Sequence, residues 1–402
     1  MFHSDANQAS DAVCSGVILA CHLPRTKSML HPIFDSINHP TLLLDETRCR
    51  RNIIHMAEHA AANGVHFRPH FKTHQSALIG EWCREAGVTS ITASSLRMAA
   101  YFANAGWDDI VVAFPANWRE IDLINHLARS IRLGLIVESR ETVRFLGSHL
   151  TSPVDIWLDV DTGYHRTGLD WQAADEAVAL CAQITASPML RLQGMLTHAG
   201  HSYNGRTLAE VQAVYDETVT HASSLRQHLL DAGYPDLRIS IGDTPCCSLI
   251  SDLTAVDEIR PGNFVYYDWM QVIIGACTAD EVAVALACPV VTKNAARSQI
   301  VVYGGGVHLS KDSFVDQHGR KTFGGVCLPT ETGWSAPRLD SYVESLSQEH
   351  GVIRVDSVTF DQVKIGDLLC ILPVHSCMTA DLMKSVVTFN GDEISMLHLE
   401  AL

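Results

Sequence analysis

The sequence predicts an α/β protein: a (β/α)8 barrel followed by a second, mostly β domain. Two observations carry this. From residue 65 onward, short apolar, β-branched runs alternate with longer stretches of helical period, and eight such strand steps can be counted. After residue 275 the long helical periods give way to strand-like runs separated by Gly, Pro and Asp turns. Eight steps joined by short connections suit a closed barrel better than a doubly wound sheet.

Taken in order, the barrel strands are expected at 65–71, 88–93, 109–114, 132–137, 154–160, 191–197, 238–241 and 258–265. Helical stretches fall between them at 76–86, 96–105, 117–129, 171–186 and 206–232, with Asp170 as the expected cap of the helix around 173–184. Later strands are expected at 281–292, 298–303, 353–360, 367–373 and 384–389. The early run Pro40-Thr-Leu-Leu-Leu-Asp45 precedes a helix over 46–62 and is a candidate to pair with that later sheet. The division is therefore an extension over 1–37 that could be disordered, a barrel over 38–275 and a β domain over 276–402.

Composition narrows the function. The 402 residues are 47% apolar and 18% charged, with a net charge of −16. Such a chain lacks the basic face of a phosphate-backbone binder, which argues against a nucleic-acid partner. No apolar run is long enough to span a membrane. The segment Gly16-Val-Ile-Leu-Ala-Cys21 is too short for a secretory core and is preceded by Asp5 and Asp11 rather than basic residues, so no signal peptide is read. The 12 cysteines are scattered without a CxxC pair, as expected of reduced core thiols in a cytoplasmic protein.

Loops at the C-terminal ends of barrel strands build active sites, and here they hold the unusual residues. These are Arg68-Pro-His-Phe-Lys-Thr-His74, Asp159-Val-Asp-Thr-Gly-Tyr-His-Arg-Thr-Gly168, Thr197-His-Ala-Gly-His-Ser-Tyr203, Ile241-Gly-Asp-Thr-Pro245 and Glu258-Ile-Arg-Pro-Gly-Asn263. Lys72 is the lysine of the barrel segment. Beside Arg68, His70 and His74, and partly buried, its pKa would fall, as bonding to an aldehyde cofactor requires; a solvated loop lysine is the alternative. Gly242 and Gly262 suit close approach of backbone to a phosphate, with Thr244 adding a hydroxyl; ordinary turns would look the same. His198 and Arg166 have the chemistry to serve a ring cofactor or to be structural. In the second domain, His375-Ser-Cys377 follows an apolar run, and on an extended strand residues i and i+2 point the same way. An imidazole beside a thiolate makes a soft half-site for a divalent metal, zinc before manganese or magnesium; a chance His beside a buried Cys is the other reading.

Together these motifs resemble the metal-activated pyridoxal-phosphate enzymes of the D-serine dehydratase and D-threonine aldolase group, relatives of the alanine racemase fold. The resemblance covers about residues 38–402 and includes Ser347-Gln-Glu-His-Gly351 and Pro373-Val-His-Ser-Cys377. It implies that Lys72 holds pyridoxal phosphate, that His198 packs on its ring, that Arg166 lies near the phenolic oxygen and Arg260 near the pyridine nitrogen. It implies phosphate contacts from Gly242, Thr244, Gly262 and Asn263, a metal on His375 and Cys377, and a substrate near Tyr203, Glu349 and His350. It also implies a homodimer acting on D-3-hydroxy amino acids as a lyase. Dehydration to a keto acid and ammonia is the favoured outcome; the alternatives are aldol cleavage to glycine and an aldehyde, racemisation, or cofactor binding without catalysis. Many relatives have Asp-Ala-Gly before a serine where this chain has Gly304-Gly-Gly-Val-His-Leu-Ser310, so the contacts of that loop are not carried over and His308 is an extra polar group there.

Overall fold

The computed structural model describes residues 30–316 and 318–397. Of the expected extension over 1–37, residues 1–29 lie outside the described residues. Its end does not: Pro32–Ser36 forms a short 3-10 helix with Phe34 buried, its ring 6.3 Å from that of Phe389.

All eight expected barrel strands are present: His66–Phe67, Ile91–Ala93, Asp109–Pro115, Arg132–Val137, Val154–Asp161, Leu190–Thr197, Arg238–Ile241 and Glu258–Ile259. From Ile91–Ala93 onward each pairs in parallel with its neighbour in sequence, and His66–Phe67 pairs with Glu258–Ile259. A single bridge between His70 and Thr92 closes the ring. The first and last strands are shorter than expected because Pro69 and Pro261 cannot donate to a ladder, and each interrupts its run.

Period-two alternation separates the two faces of the barrel wall. Val111, Ile136, Trp157 and Leu196 form a small cluster of their own. Their strand neighbours Ile110, Val112, Leu135, Val137, Ile156, Leu158 and Met195 pack outward in the large core shared with the helices. Asp155 and Asp159 share the inward face of Trp157, one below it and one above. The lower level is an ion-pair network. Arg132 Nε and Arg191 Nε reach Asp155 at 2.6 and 2.8 Å, while Arg68 bonds Glu258 at 2.8 Å and Asp109 at 2.6 Å.

The helices Ala77–Glu85, Leu96–Asn104, Ile121–Ala128, Arg140–His149, Ala174–Thr185 and Leu208–Asp231 surround the barrel. One expected cap is corrected. The residue before Ala174–Thr185 is Ala173, which offers no side-chain bond; Asp170 instead accepts from the Gln172 N–H at 2.9 Å and closes the turn before the helix.

The second domain is a nine-stranded sheet built on Val284–Asn294 and Leu368–Pro373. As expected, the early strand Thr41–Leu44 joins it, antiparallel to 284–287 and parallel to Ser385–Thr388. The expected strand at 353–360 is corrected. The strand is His350–Arg354, and Asp356 then caps a helix over Ser357–Gln362 by accepting from the Thr359 N–H at 2.9 Å. No helix of the described residues is long and apolar enough to cross a membrane.

Candidate active site

Lys72 sits in the turn after His66–Phe67, at the end of the barrel opposite the ion-pair floor. The His70 ring fixes the turn by accepting the Lys72 N–H through Nδ1 at 3.3 Å. Burial pushes the Lys72 ammonium below its usual range; the Cys377 thiolate opposes this, and the Arg166 and Arg260 guanidiniums add to it. The direction matches expectation, but the neighbours differ. Arg68 is spent on Glu258 and Asp109 at the floor. His74 turns away against Phe71 and Phe102, its Nδ1 accepting from Ser76 at 3.1 Å.

His198 follows the strand Leu190–Thr197, and its Nδ1–H donates to the Gly242 carbonyl. Burial holds its pKa down to about 3, with Lys72 adding to the effect, so the ring is neutral. Arg166 projects from an exposed loop and lies over the Tyr164 ring at 5.5 Å, with Tyr164 edge-on to His198 at 5.5 Å. Arg260 is buried and fixed: Nε donates to Ser240 Oγ at 2.7 Å and Nη2 to the Thr197 carbonyl at 2.7 Å.

Glycine is required at two positions here by close approach. A Cβ at Gly242 would lie 2.8 Å from Arg260 Nη1, and one at Gly262 would lie 2.9 Å from the His70 carbonyl. Thr244 is fully buried with its Oγ1 unpaired, and its N–H donates to Tyr203 Oη at 3.4 Å. Tyr203 is pushed up by burial, then by Asp243 and Cys377. Asn263 turns its amide away from Gly242 and Thr244: Nδ2 donates to Asp268 at 2.6 Å and Ser376 at 2.9 Å, and lies 3.6 Å from Cys377 Sγ.

His375 and Cys377 are adjacent, but the geometry expected of them is corrected. They do not lie on a strand. His375 is the residue before the helix Ser376–Met383, and Cys377 is in its first turn. Burial alone would lower the His375 pKa; Cys377 and Asp312 outweigh it and raise it to about 11. Burial would raise the Cys377 thiol, and His375, Lys72 and Thr73 together bring it down. Each group thus favours the charged form of the other. Asp312 accepts from His375 Nδ1 at 2.9 Å, which leaves Nε2 for a metal. Among the described residues no group of three or more His, Cys, Asp or Glu could hold a metal, so this pair stands without a third protein ligand.

Glu349 and His350 sit at a hairpin turn. Glu349 Oε2 is 3.8 Å from His308 Nε2, and His350 pairs with Tyr303; no contact joins either to Lys72. The loop around His308 nonetheless packs on the helix carrying Cys377, with Thr379 Oγ1 donating to the Leu309 carbonyl at 3.2 Å. Thr73, Asp268 and Asp312 were not anticipated. Asp268 accepts from the Ser376 N–H at 3.0 Å and from Asn263, and Thr73 Oγ1 lies 3.1 Å from Cys377 Sγ.

Comparison with known proteins identifies the family. A model of the alanine racemase N-terminal domain matches residues 44–268, and one of the serine dehydratase domain matches residues 283–389. The chain is 30% identical over 390 residues to D-serine dehydratase of Dictyostelium discoideum, covering 89% of this chain and 95% of that protein. It is 31% identical over 355 residues to D-threo-3-hydroxyaspartate dehydratase of Delftia sp. (strain HT23), covering 86% and 92%. The chain belongs to the alanine racemase-like family of D-serine and D-threo-3-hydroxyaspartate dehydratases. The solved structure of the Delftia enzyme superposes with a TM-score of 0.82 at 27% identity, over 90% of this chain and 98% of that one. Within the wider fold, D-threonine aldolase from Filomicrobium marinum superposes with a TM-score of 0.76 at 21% identity, over 90% and 95%. Two further similar structures are of D-threo-3-hydroxyaspartate dehydratase, one a cysteine-to-alanine variant in the metal-free form and one a histidine-to-alanine variant. Their altered positions are two apart, the spacing of His375 and Cys377 here.

Proposed function

We propose that this family member is a pyridoxal-phosphate- and divalent-metal-dependent lyase that dehydrates small D-3-hydroxy amino acids to a keto acid and ammonia. The observation that carries it is the joining of two chemistries across one contact. An amine of lowered pKa stands on the turn whose next residue, Thr73, lies 3.1 Å from the sulfur of the His375–Cys377 pair. The cofactor fits the residues present. Thr244 Oγ1 is buried without a partner, an orphan that a phosphate oxygen would satisfy. The donors suit zinc, with manganese or magnesium less well matched to sulfur.

When bound, the cofactor supplies an electron sink and the metal a Lewis acid. The chain supplies the rest. Lys72 Nζ would hold the cofactor, and its lowered pKa suits the same amine to accept a proton from the substrate Cα. Neutral His198 would offer the cofactor ring an uncharged face, and Arg260, fixed by Ser240 and the Thr197 carbonyl, would serve the pyridine nitrogen. Gly242, Thr244, Gly262 and the Asn263 backbone would receive the phosphate, and Arg166 would serve the phenolic oxygen. His375 and Cys377 would hold the metal, which would assist loss of the substrate hydroxyl as a Lewis acid, and Tyr203 would serve the substrate. Glu349 and His350 border the site through the His308 loop.

Pyruvate and ammonia from D-serine with added zinc are the expected products. Glycine and acetaldehyde from D-threonine, with no keto acid from either substrate, would instead establish the aldolase reaction. We further propose a homodimer over a barrel at 38–275 and a β domain at 276–402, as the resemblance implies; light scattering giving a monomer would refute the assembly. A reducing cytoplasm suits the ten described cysteines, all buried and free.

A further inference from the structure

Thr73 is fully buried, and its Oγ1 lies 3.1 Å from Cys377 Sγ across 304 residues of sequence. A metal-binding cysteine is a thiolate, so the hydroxyl is the donor. Of the other donors, Asn263 Nδ2 is 3.6 Å away and already shared between Asp268 and Ser376, and His375 is itself a ligand in the metal reading. Thr73 also directly follows Lys72, whose turn is fixed from the other side by His70.

We propose that Thr73 is a positioning residue for the metal thiolate, tying the ligand of the β domain to the barrel turn that carries the cofactor lysine. This rests on the reading of His375 and Cys377 as a metal pair. A hydrogen bond to a ligating sulfur withdraws electron density from it and fixes its direction. Removing the bond leaves the sulfur more electron-rich, which shifts its electronic transitions, and frees it to turn from the metal, which weakens binding, while Lys72 keeps its cofactor. Partners of this kind are worth about 10–100-fold in metal affinity.

The test uses holoenzyme loaded with cobalt(II), read as difference spectra against the zinc form, with affinity measured by chelator competition. For Thr73→Val, which keeps the volume and loses the hydroxyl, we expect about 10–100-fold weaker binding, a thiolate-to-cobalt band moved to longer wavelength, and retained cofactor absorbance. Thr73→Ser is expected to restore both metal readouts. If the valine variant does not accumulate, Thr73→Ala removes the same hydroxyl without placing a methyl beside Sγ. Unchanged affinity and an unmoved band in the folded variant would overturn the proposal and leave the metal pair standing. Absence of any thiolate-to-cobalt band in the wild type would overturn the metal reading as well.

Discussion

At the residue scale, each group in the site is defined by what holds it. Replacing Lys72 with Ala should abolish the visible absorbance of the bound cofactor together with turnover. Cys377→Ala should keep that absorbance and lose metal-dependent turnover; a variant indifferent to chelator and to added zinc alike would count against the metal role. Asp312 makes a third case. It accepts from Nδ1 of His375, so Asp312→Asn should weaken metal binding about 10–100-fold; equal affinity in equilibrium dialysis would show that Asp312 does not orient the ligand. Neither Thr73 nor Asp312 was legible in the sequence. Each lies far along the chain from its partner, 304 and 63 residues away, and a short polar side chain carries no signal of such a contact. Lys72 was legible because a lysine among apolar barrel strands is itself anomalous. The cause of its lowered pKa was only half legible, since Arg68 reads as a neighbour in sequence but pairs at the barrel floor.

At the scale of the element, the inward face of Val154–Asp161 yields a pH prediction. Asp159 is buried at the barrel mouth with Oδ2 unpaired, and burial raises its pKa to about 6, against the Thr167 hydroxyl bond that lowers it. In the unfolded chain an aspartate titrates near 3.9. The folded form therefore holds a proton between about pH 4 and 6 that the unfolded chain has lost, so this group's contribution to stability falls as pH rises through that window, by about 3 kcal/mol at most. Asp159→Asn mimics the protonated acid, and its urea midpoint should exceed that of the wild type by more at pH 7.5 than at pH 5. A constant difference would contradict the raised pKa. At the floor, Glu258→Gln leaves Arg68 with Asp109 alone and should cost about 3 kcal/mol in urea unfolding; a change below 1 kcal/mol would show that the network relaxes around the loss. Strands are legible in the sequence where β-branched runs are continuous. The helix at His375-Ser-Cys377 is not, because it is short and the side chain before it bonds Asp312 rather than capping.

On the scale of the whole molecule, the two units share both a sheet and a site. Thr41–Leu44 precedes the barrel in sequence yet lies between strands of the second domain. Thr73 and Asn263 of the barrel meet Ser376 and Cys377 of the β domain. The barrel and its partner domain were legible because each keeps its own hydrophobic period. How the two meet was not, because that depends on a few polar contacts between distant segments. The central claim is that the Lys72 amine carries the cofactor in this pocket. Borohydride reduction of the holoenzyme followed by peptide mapping tests it most directly. The label should appear on the peptide containing Lys72 and on no other; a label on any other lysine, or none at all, would contradict the account.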